Sequence, residues 1–170
     1  MAVNAYLIVD QIPGPSTSKT GAIDILSFSI GASMTSTYGT GASGMESKAG
    51  RADLGNLSIM KVLDNTSTDL FKSCVSGNVI KSVILLYDKP LQGATTQADY
   101  YRIYLQDAMI TSFQHSGSAE NPTESISFAY QAIEIAYKAE QDPSTLAGAK
   151  MAGFNLETLK SDFAAPTPFS

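Results

Sequence analysis

Charge is scarce in this sequence. Asp, Glu, Lys and Arg make up 16% of its 170 residues, against roughly 25% in an average soluble domain. Neutral surface costs less to bury against other copies of the same chain, so the shortage points towards self-association. Positive charge is scarcer still: 11 basic residues face 16 acidic ones, for a net charge of −5. No basic run or stripe occurs, and binding a phosphate backbone needs clustered cations to displace counterions. Nucleic acid is therefore excluded as a partner. One cysteine, Cys74, rules out an internal disulfide and a cysteine-rich metal site, and it reads as a small buried filler. No apolar run approaches the roughly 20 residues of a membrane-spanning helix, so no membrane insertion is expected. The opening residues MAVNAYLIVDQIPG have no basic leader. The expectation is synthesis in the cytoplasm, with export by a route that needs no cleaved signal.

Strand patterns are what the chain has in abundance. Val3–Asp10 reads as a strand stopped by Ile12-Pro13-Gly14-Pro15. Across Ile23–Met34, Phe28, Ile30 and Met34 alternate with Ser27, Ser29, Gly31 and Ser33, the period of a strand with one face buried. Ser36–Arg51, STYGTGASGMESKAGR, has almost nothing to bury and reads as a long loop. Leu54–Val62 resumes a strand, with Leu57, Ile59 and Lys61 opposite Ser58 and Met60. Thr66–Asn78 differs: Leu70, Phe71, Cys74 and Val75 recur at helical spacing. Thr66 or Ser67 is placed to cap the first turn, and Gly77 to end the helix. Strands return at Val79–Asp88, Tyr100–Phe113, Thr123–Tyr137 and Met151–Leu156. In the third of these the phase slips between Tyr130 and Ile133, which suggests a bulge. The reading is one mainly β domain over residues 1–163 with a single short flanking α-helix. Residues 164–170 form a tail poorly ordered in the free subunit.

The candidates for chemistry fail one by one. Gly39-Thr-Gly41-Ala-Ser-Gly44 matches a dinucleotide fingerprint, but that site needs a helix directly after the glycines. Here glycine-punctuated sequence leads into a strand. A P-loop would need Lys where Met45 stands. His115, the sole histidine, sits among turn residues beside Ser116 and Ser118, with no nucleophile elbow. One His and one Cys do not make a conventional zinc site. Asp107, Glu120 and Glu124 are near one another only in sequence and read as solvated carboxylates. The expectation is no enzyme, no cofactor and no metal.

Segments taken in order carry a resemblance. AYLIVDQIPGPS, the strand IDILSFS at Ile23–Ser29 followed by a glycine-rich loop, and Leu57–Asp64 leading into the helix with Phe71, Cys74 and Gly77 are three of them. YYRIYLQDAMITS, PTESISFAYQAIEIAYK and Gly153-Phe154-Asn155 complete the series. Together, from Val3 to Leu159, they resemble the haemolysin-coregulated proteins (Hcp) of bacterial type VI secretion systems. The resemblance implies an antiparallel two-sheet β-barrel with one flanking helix, closed into a hexameric ring. Rings would stack into a tube tipped by a VgrG spike, driven by a contractile sheath, with effector proteins carried in the lumen. On that premise Ser27, Ser29, Ser33, Ser125, Ser127 and Gln131 are candidates for the lumen wall. Tyr38, Gly39, Gly41, Gly44 and Met45 are candidates for ring-to-ring stacking. Rival readings are a tail-tube protein of a related contractile injection system and a carbohydrate-binding or hydrolytic β-sandwich. The absence of Trp weakens the last.

Overall fold

A computed structural model describes residues 4–37, 48–118 and 120–169. Chain order runs β1 (Asn4–Val9), β2 (Ile23–Asp24), β3 (Ser27–Ser29), β4 (Ala32–Thr37), β5 (Lys48–Leu54) and β6 (Leu57–Val62). The helix α1 (Ser67–Ser76) follows, then β7 (Ile80–Pro90), β8 (Gln97–Ser116), β9 (Thr123–Ala129) and β10 (Ala132–Tyr137). Two short strands, β11 (Glu140–Asp142) and β12 (Thr145–Leu146), precede β13 (Lys150–Asn155). The mainly β reading with one short helix holds.

Nine of these strands form one antiparallel network in two halves that share β8. The first half runs β2-β1-β7-β8-β10-β13, and the second runs β8-β9-β6-β3. At 20 residues β8 is long enough to serve both. Its first part pairs with β7 and β10, its last part with β9. Between them Asp107 takes a left-handed φ of 49°. Inward rows from the two halves meet as one core. One row sets Val9, Val83, Leu105 and Ile133 side by side, and another sets Phe28, Ile59, Ile126 and Phe113 side by side. Ile25 and Leu26 carry the chain from one half to the other. Their amides donate to Ala5 O (3.1 Å) and Met60 O (2.7 Å). Among the described residues no ladder closes the sheet, so this chain link, and not a closed barrel, joins its two ends.

Four boundaries depart from the sequence reading. Ile23–Met34 is broken into β2, β3 and the start of β4, so Met34 is exposed instead of sharing the core with Phe28. The long loop is shorter than its composition suggested, because β4 and β5 pair as a hairpin that takes in Ser36, Thr37 and Lys48–Arg51. Gly50 fits that hairpin closely: a Cβ there would lie 2.5 Å from Thr35 O. Leu54–Val62 is likewise two strands, separated at Gly55–Asn56. At Tyr130–Gln131 the phase slip marks the break between β9 and β10, and with it the crossing from one half of the network to the other.

The helix begins and ends where expected, with Gly77 in the left-handed region at φ 63°. Its start is capped differently. Neither Thr66 nor Ser67 caps the first turn with its side chain. Asp64 Oδ1 instead accepts from Thr66 N (2.8 Å), and Ser67 Oγ accepts from Asp64 N (3.1 Å). Of the apolar stripe, Leu70 is fully buried and Cys74 half-buried, while Phe71 and Val75 are exposed. Phe71 keeps an edge contact with Phe113, ring centres 5.7 Å apart.

Lys61 ties these pieces together. It belongs to the inward alternation of β6, and its ammonium is completely buried. Nζ lies 2.9 Å from Glu124 Oε2 on β9 and 3.1 Å from Asp64 Oδ1, and it donates to Val62 O (3.0 Å) and Ser67 Oγ (3.2 Å). Two strands, the following turn and the helix start thus converge on one cation. Removing one partner of such a buried pair strands the other charge, which costs about 3–5 kcal/mol. Lys61→Ala should lower the urea unfolding free energy by about that amount. The joint replacement Lys61→Met with Glu124→Leu should recover most of the loss in the same assay.

Candidate functional site

The outward side of the second half is built from rows of small polar residues. Strand pairing aligns Ser29, Ser58, Ser127 and Ser112 in one row across β3, β6, β9 and β8. The next outward row aligns Ser27, Met60, Ser125 and Gln114. Val62, Thr123 and Ser116 extend it at one end. No ionisable side chain stands in these rows. Their charged strand neighbours Lys61 and Glu124 fall on the opposite, inward side, because consecutive residues alternate. Ser58 Oγ and Ser127 Oγ are 2.9 Å apart, which links two strands across the face.

A β-bulge places the β8 members of this face. Ile110 pairs with Phe128 and Ser112 with Ser127, so Thr111 is an extra residue on the β8 side. Without it Ser112 would share the inward side with Ile110. With it, Ser112, Gln114 and Ser116 turn outward and Phe113 turns in. Thr111 Oγ1 accepts from Asn56 Nδ2 (3.0 Å) and donates to Ser127 O (3.3 Å), which satisfies the hydroxyl that the bulge exposes.

Of the candidate wall residues, Ser27, Ser29, Ser125 and Ser127 lie together on this face. Ser33 does not: it is exposed on the β4–β5 hairpin, outside the nine-stranded network. Gln131 sits in the break between β9 and β10, and its side-chain amide donates to Glu157 Oε2. Tyr38, Gly39, Gly41, Gly44 and Met45 lie outside the described residues. Sequence reasoning missed Gln114 and Ser116, because the strand was expected to stop at Phe113, and Ser112, because the bulge at Thr111 that turns it outward was not visible in the sequence. It also left Ser58 and Met60 unassigned although their alternation was visible. Only the register shows that they continue the serine rows.

The residues weighed for catalysis are not assembled for it. His115 is half-exposed but lies within β8 and not in a loop. As its neighbour on a strand, Ser116 points to the other side. His115 Nδ1 is 3.5 Å from Glu124 Oε1. Glu124 itself is fully buried, contrary to the expectation of a solvated carboxylate, and it is held by Lys61. Glu120 is exposed. The segment after the glycine fingerprint is the strand β5, which supplies no helix N-terminus for a phosphate. Among the described residues no group of three or more His, Cys, Asp or Glu could hold a metal ion. No described helix is long and apolar enough to cross a membrane. The clearest titration shift is structural: burial pushes the Tyr130 hydroxyl up to about 12 while it donates to Gly55 O (2.8 Å) at the foot of the hairpin.

Comparison with known proteins gives a consistent result. Residues 6–137 match the family model described as "Type VI secretion system effector, Hcp". No curated protein matches significantly by sequence. Among solved structures, one titled as a type six secretion system protein superposes with a TM-score of 0.82 at 24% identity, covering 94% of this chain and 99% of that one. Hcp1 from Salmonella typhimurium gives 0.75 at 23% identity, covering 94% and 99%. A type VI secretion system effector from Yersinia pestis gives 0.68 at 19%, covering 89% and 98%. At these identities the structural likeness establishes a shared fold.

Because the serine rows lie outside the core, they should be dispensable for folding. Ser127→Ala is expected to change the unfolding free energy by no more than about 1 kcal/mol. Its inward neighbour in Ile126→Ala should cost about 2–5 kcal/mol. Chemical denaturation of both variants beside the wild type checks the contrast.

Proposed function

The chain belongs to the Hcp family of type VI secretion systems, a family of tube proteins, and from that premise we propose that six copies close into a ring whose inner wall is the serine face. The observation that carries this reading is a four-strand outward surface with hydroxyl, amide and thioether groups and no ionisable side chain. A channel that must hold different cargo and then release it needs many weak contacts and no strong ones. Each neutral hydrogen bond contributes about 1 kcal/mol net. Buried charge pairing would be stronger and more selective, and the charged side chains of these strands point away from the face.

Unpaired strand edges support ring closure. Within the described network β2, β13 and β3 each have one unpaired side. Exposed edges invite pairing, and a head-to-tail contact repeated round a closed ring uses them up without open-ended growth. Ring on ring would give the tube, with a VgrG spike at the tip and a contractile sheath outside. Effector proteins would be the cargo. The subunit's part is structural, with no catalytic step. The glycine loop, with Tyr38, Gly39, Gly41, Gly44 and Met45, is the proposed stacking element, since its length and glycine content would let it order on contact with a neighbouring ring.

Light scattering coupled to size exclusion, with negative-stain imaging of the same fraction, should find six-subunit rings with open centres. Ser29→Arg should leave that mass unchanged while altering cargo co-purification severalfold, with anionic cargo retained more strongly. A monomer at high concentration, or loss of rings in Ser29→Arg, would count against the placement. Deleting residues 39–44 should spare single rings and abolish tubes, and normal tubes from the deleted chain would remove the loop from stacking.

A further inference from the structure

The outward side of the first half of the network has a different character. Its rows place Tyr6, Leu86, Arg102 and Ala136 side by side, and beside them Ile8, Ile84, Tyr104, Glu134 and Gly153. Tyr6, Leu86, Tyr104, Arg102 and Glu134 are all buried. Lys19 and Ala22 lie against Tyr6, and the rest of the cover is the C-terminal segment 163–169, where sequence alone suggested a poorly ordered tail.

The cover is seated by specific groups. Arg102 and Glu134, both nearly inaccessible, are paired at 2.6 Å. Each uses its remaining capacity on the tail backbone: Arg102 Nη1 donates to Thr167 O (2.8 Å), and Ala165 N donates to Glu134 Oε2 (2.8 Å). Phe169 lies against two cations, 5.1 Å from the Arg102 guanidinium and 4.2 Å from Lys138 Nζ. Phe163 stacks at 6.4 Å on Tyr104. Burial lowers the Lys138 pKa. The sheet also leaves room for the strap: a Cβ at Gly153 would meet Phe163 O at 1.9 Å.

We propose that this face is a peptide-binding groove for an extended, proline-spaced, aromatic-ended segment, and that the C-terminal segment of a second copy exchanges with the resident one in it. Pro166 and Pro168 have no amide to give a strand ladder, so the segment is held at the backbone of Ala165 and Thr167 by the Glu134 and Arg102 side chains and not by sheet pairing. Those proline residues also restrict the free segment towards the extended form, which reduces the ordering cost on docking. Contacts of this kind break one at a time. Residues 157–162 join the segment to β13 through an exposed turn in which Asn155 N donates to Lys160 O (2.9 Å), and exchange pivots at that turn. The Nε atom of Arg102 is buried and makes no hydrogen bond within the chain. This exchange requires no ring and stands apart from the tube reading.

The test uses the full chain and a fluorescent peptide of residues 162–170. A resident segment competes with the added one, so apparent affinity falls with the fraction of grooves left open. Phe169→Ala in the full chain loosens the resident segment and should tighten peptide binding by about tenfold over wild type. Adding Arg102→Met to that variant should abolish binding, with circular dichroism confirming that the fold persists. Equal binding by wild type and Phe169→Ala would overturn the groove. For exchange between copies, isotopically heavy and light chains bearing a photo-crosslinking residue at position 169 are mixed and irradiated. Heavy-to-light crosslinks are expected, and crosslinks confined to one copy would overturn the exchange. A chain that binds peptide yet forms no rings would sink the tube reading alone.

Discussion

Strand β8 is the constraint on which the other elements depend. A single extended segment of 20 residues takes part in both halves of the network, so the two inward faces are held opposite each other by covalent chain as well as by packing. Its irregularities are as important as its length. Asp107 in the left-handed region marks the passage between the halves, and the extra residue at Thr111 reverses which side chains face inward. A slip of one residue in a strand moves its whole apolar set to the other face. The bulge at Thr111 applies that slip on purpose, so Ile110 and Phe113 both reach the core although they are three residues apart.

From that frame come two outward faces of opposite chemistry. The second half presents rows of serine with no charge, left open. The first half presents a buried arginine–glutamate pair among aromatic side chains, covered by the chain's own C-terminal segment. The inward cluster centred on Lys61 belongs to neither. It is an ion pair kept out of water at the junction of β6, β9 and α1, where a lone charge would be strongly destabilising. Its four oxygen contacts join the helix start to the sheet beside the buried apolar anchor Leu70. The charges on the strands of the second half, Lys61 and Glu124, are turned inward, and what remains outside on the proposed lumen side is neutral.

Much of this was legible in the residue order, and the rest was not for definite reasons. The alternation in Leu57–Lys61 correctly placed Lys61 with Leu57 and Ile59, since period two does not depend on which strand lies alongside. The helix limits were also legible, because Gly77 is suited to the left-handed terminus by its own lack of a Cβ. The cap was misread: Thr66, Ser67 and Asp64 all carry an oxygen able to accept at a helix start, and only geometry selects Asp64. The long glycine-rich segment hid a hairpin, because a two-stranded ribbon with little burial leaves almost no apolar periodicity. Glu124 was read as solvated, since nothing local reveals a lysine 63 positions away.

The sequence by itself determined the mainly β character, the one short helix, the lack of a nucleic-acid or membrane-helix signature, and the order of segments that resembles the Hcp proteins. These rest on local properties: side-chain period, turn residues and composition. Tertiary structure alone decided which serines share a face, bringing Ser29, Ser58, Ser127 and Ser112 into one row while leaving Ser33 and Gln131 elsewhere. It also decided that the last residues cover Arg102 and Glu134. Both depend on strand register and on contacts between residues far apart in the chain. Those are set by the whole set of packed side chains at once, and no single segment carries that information.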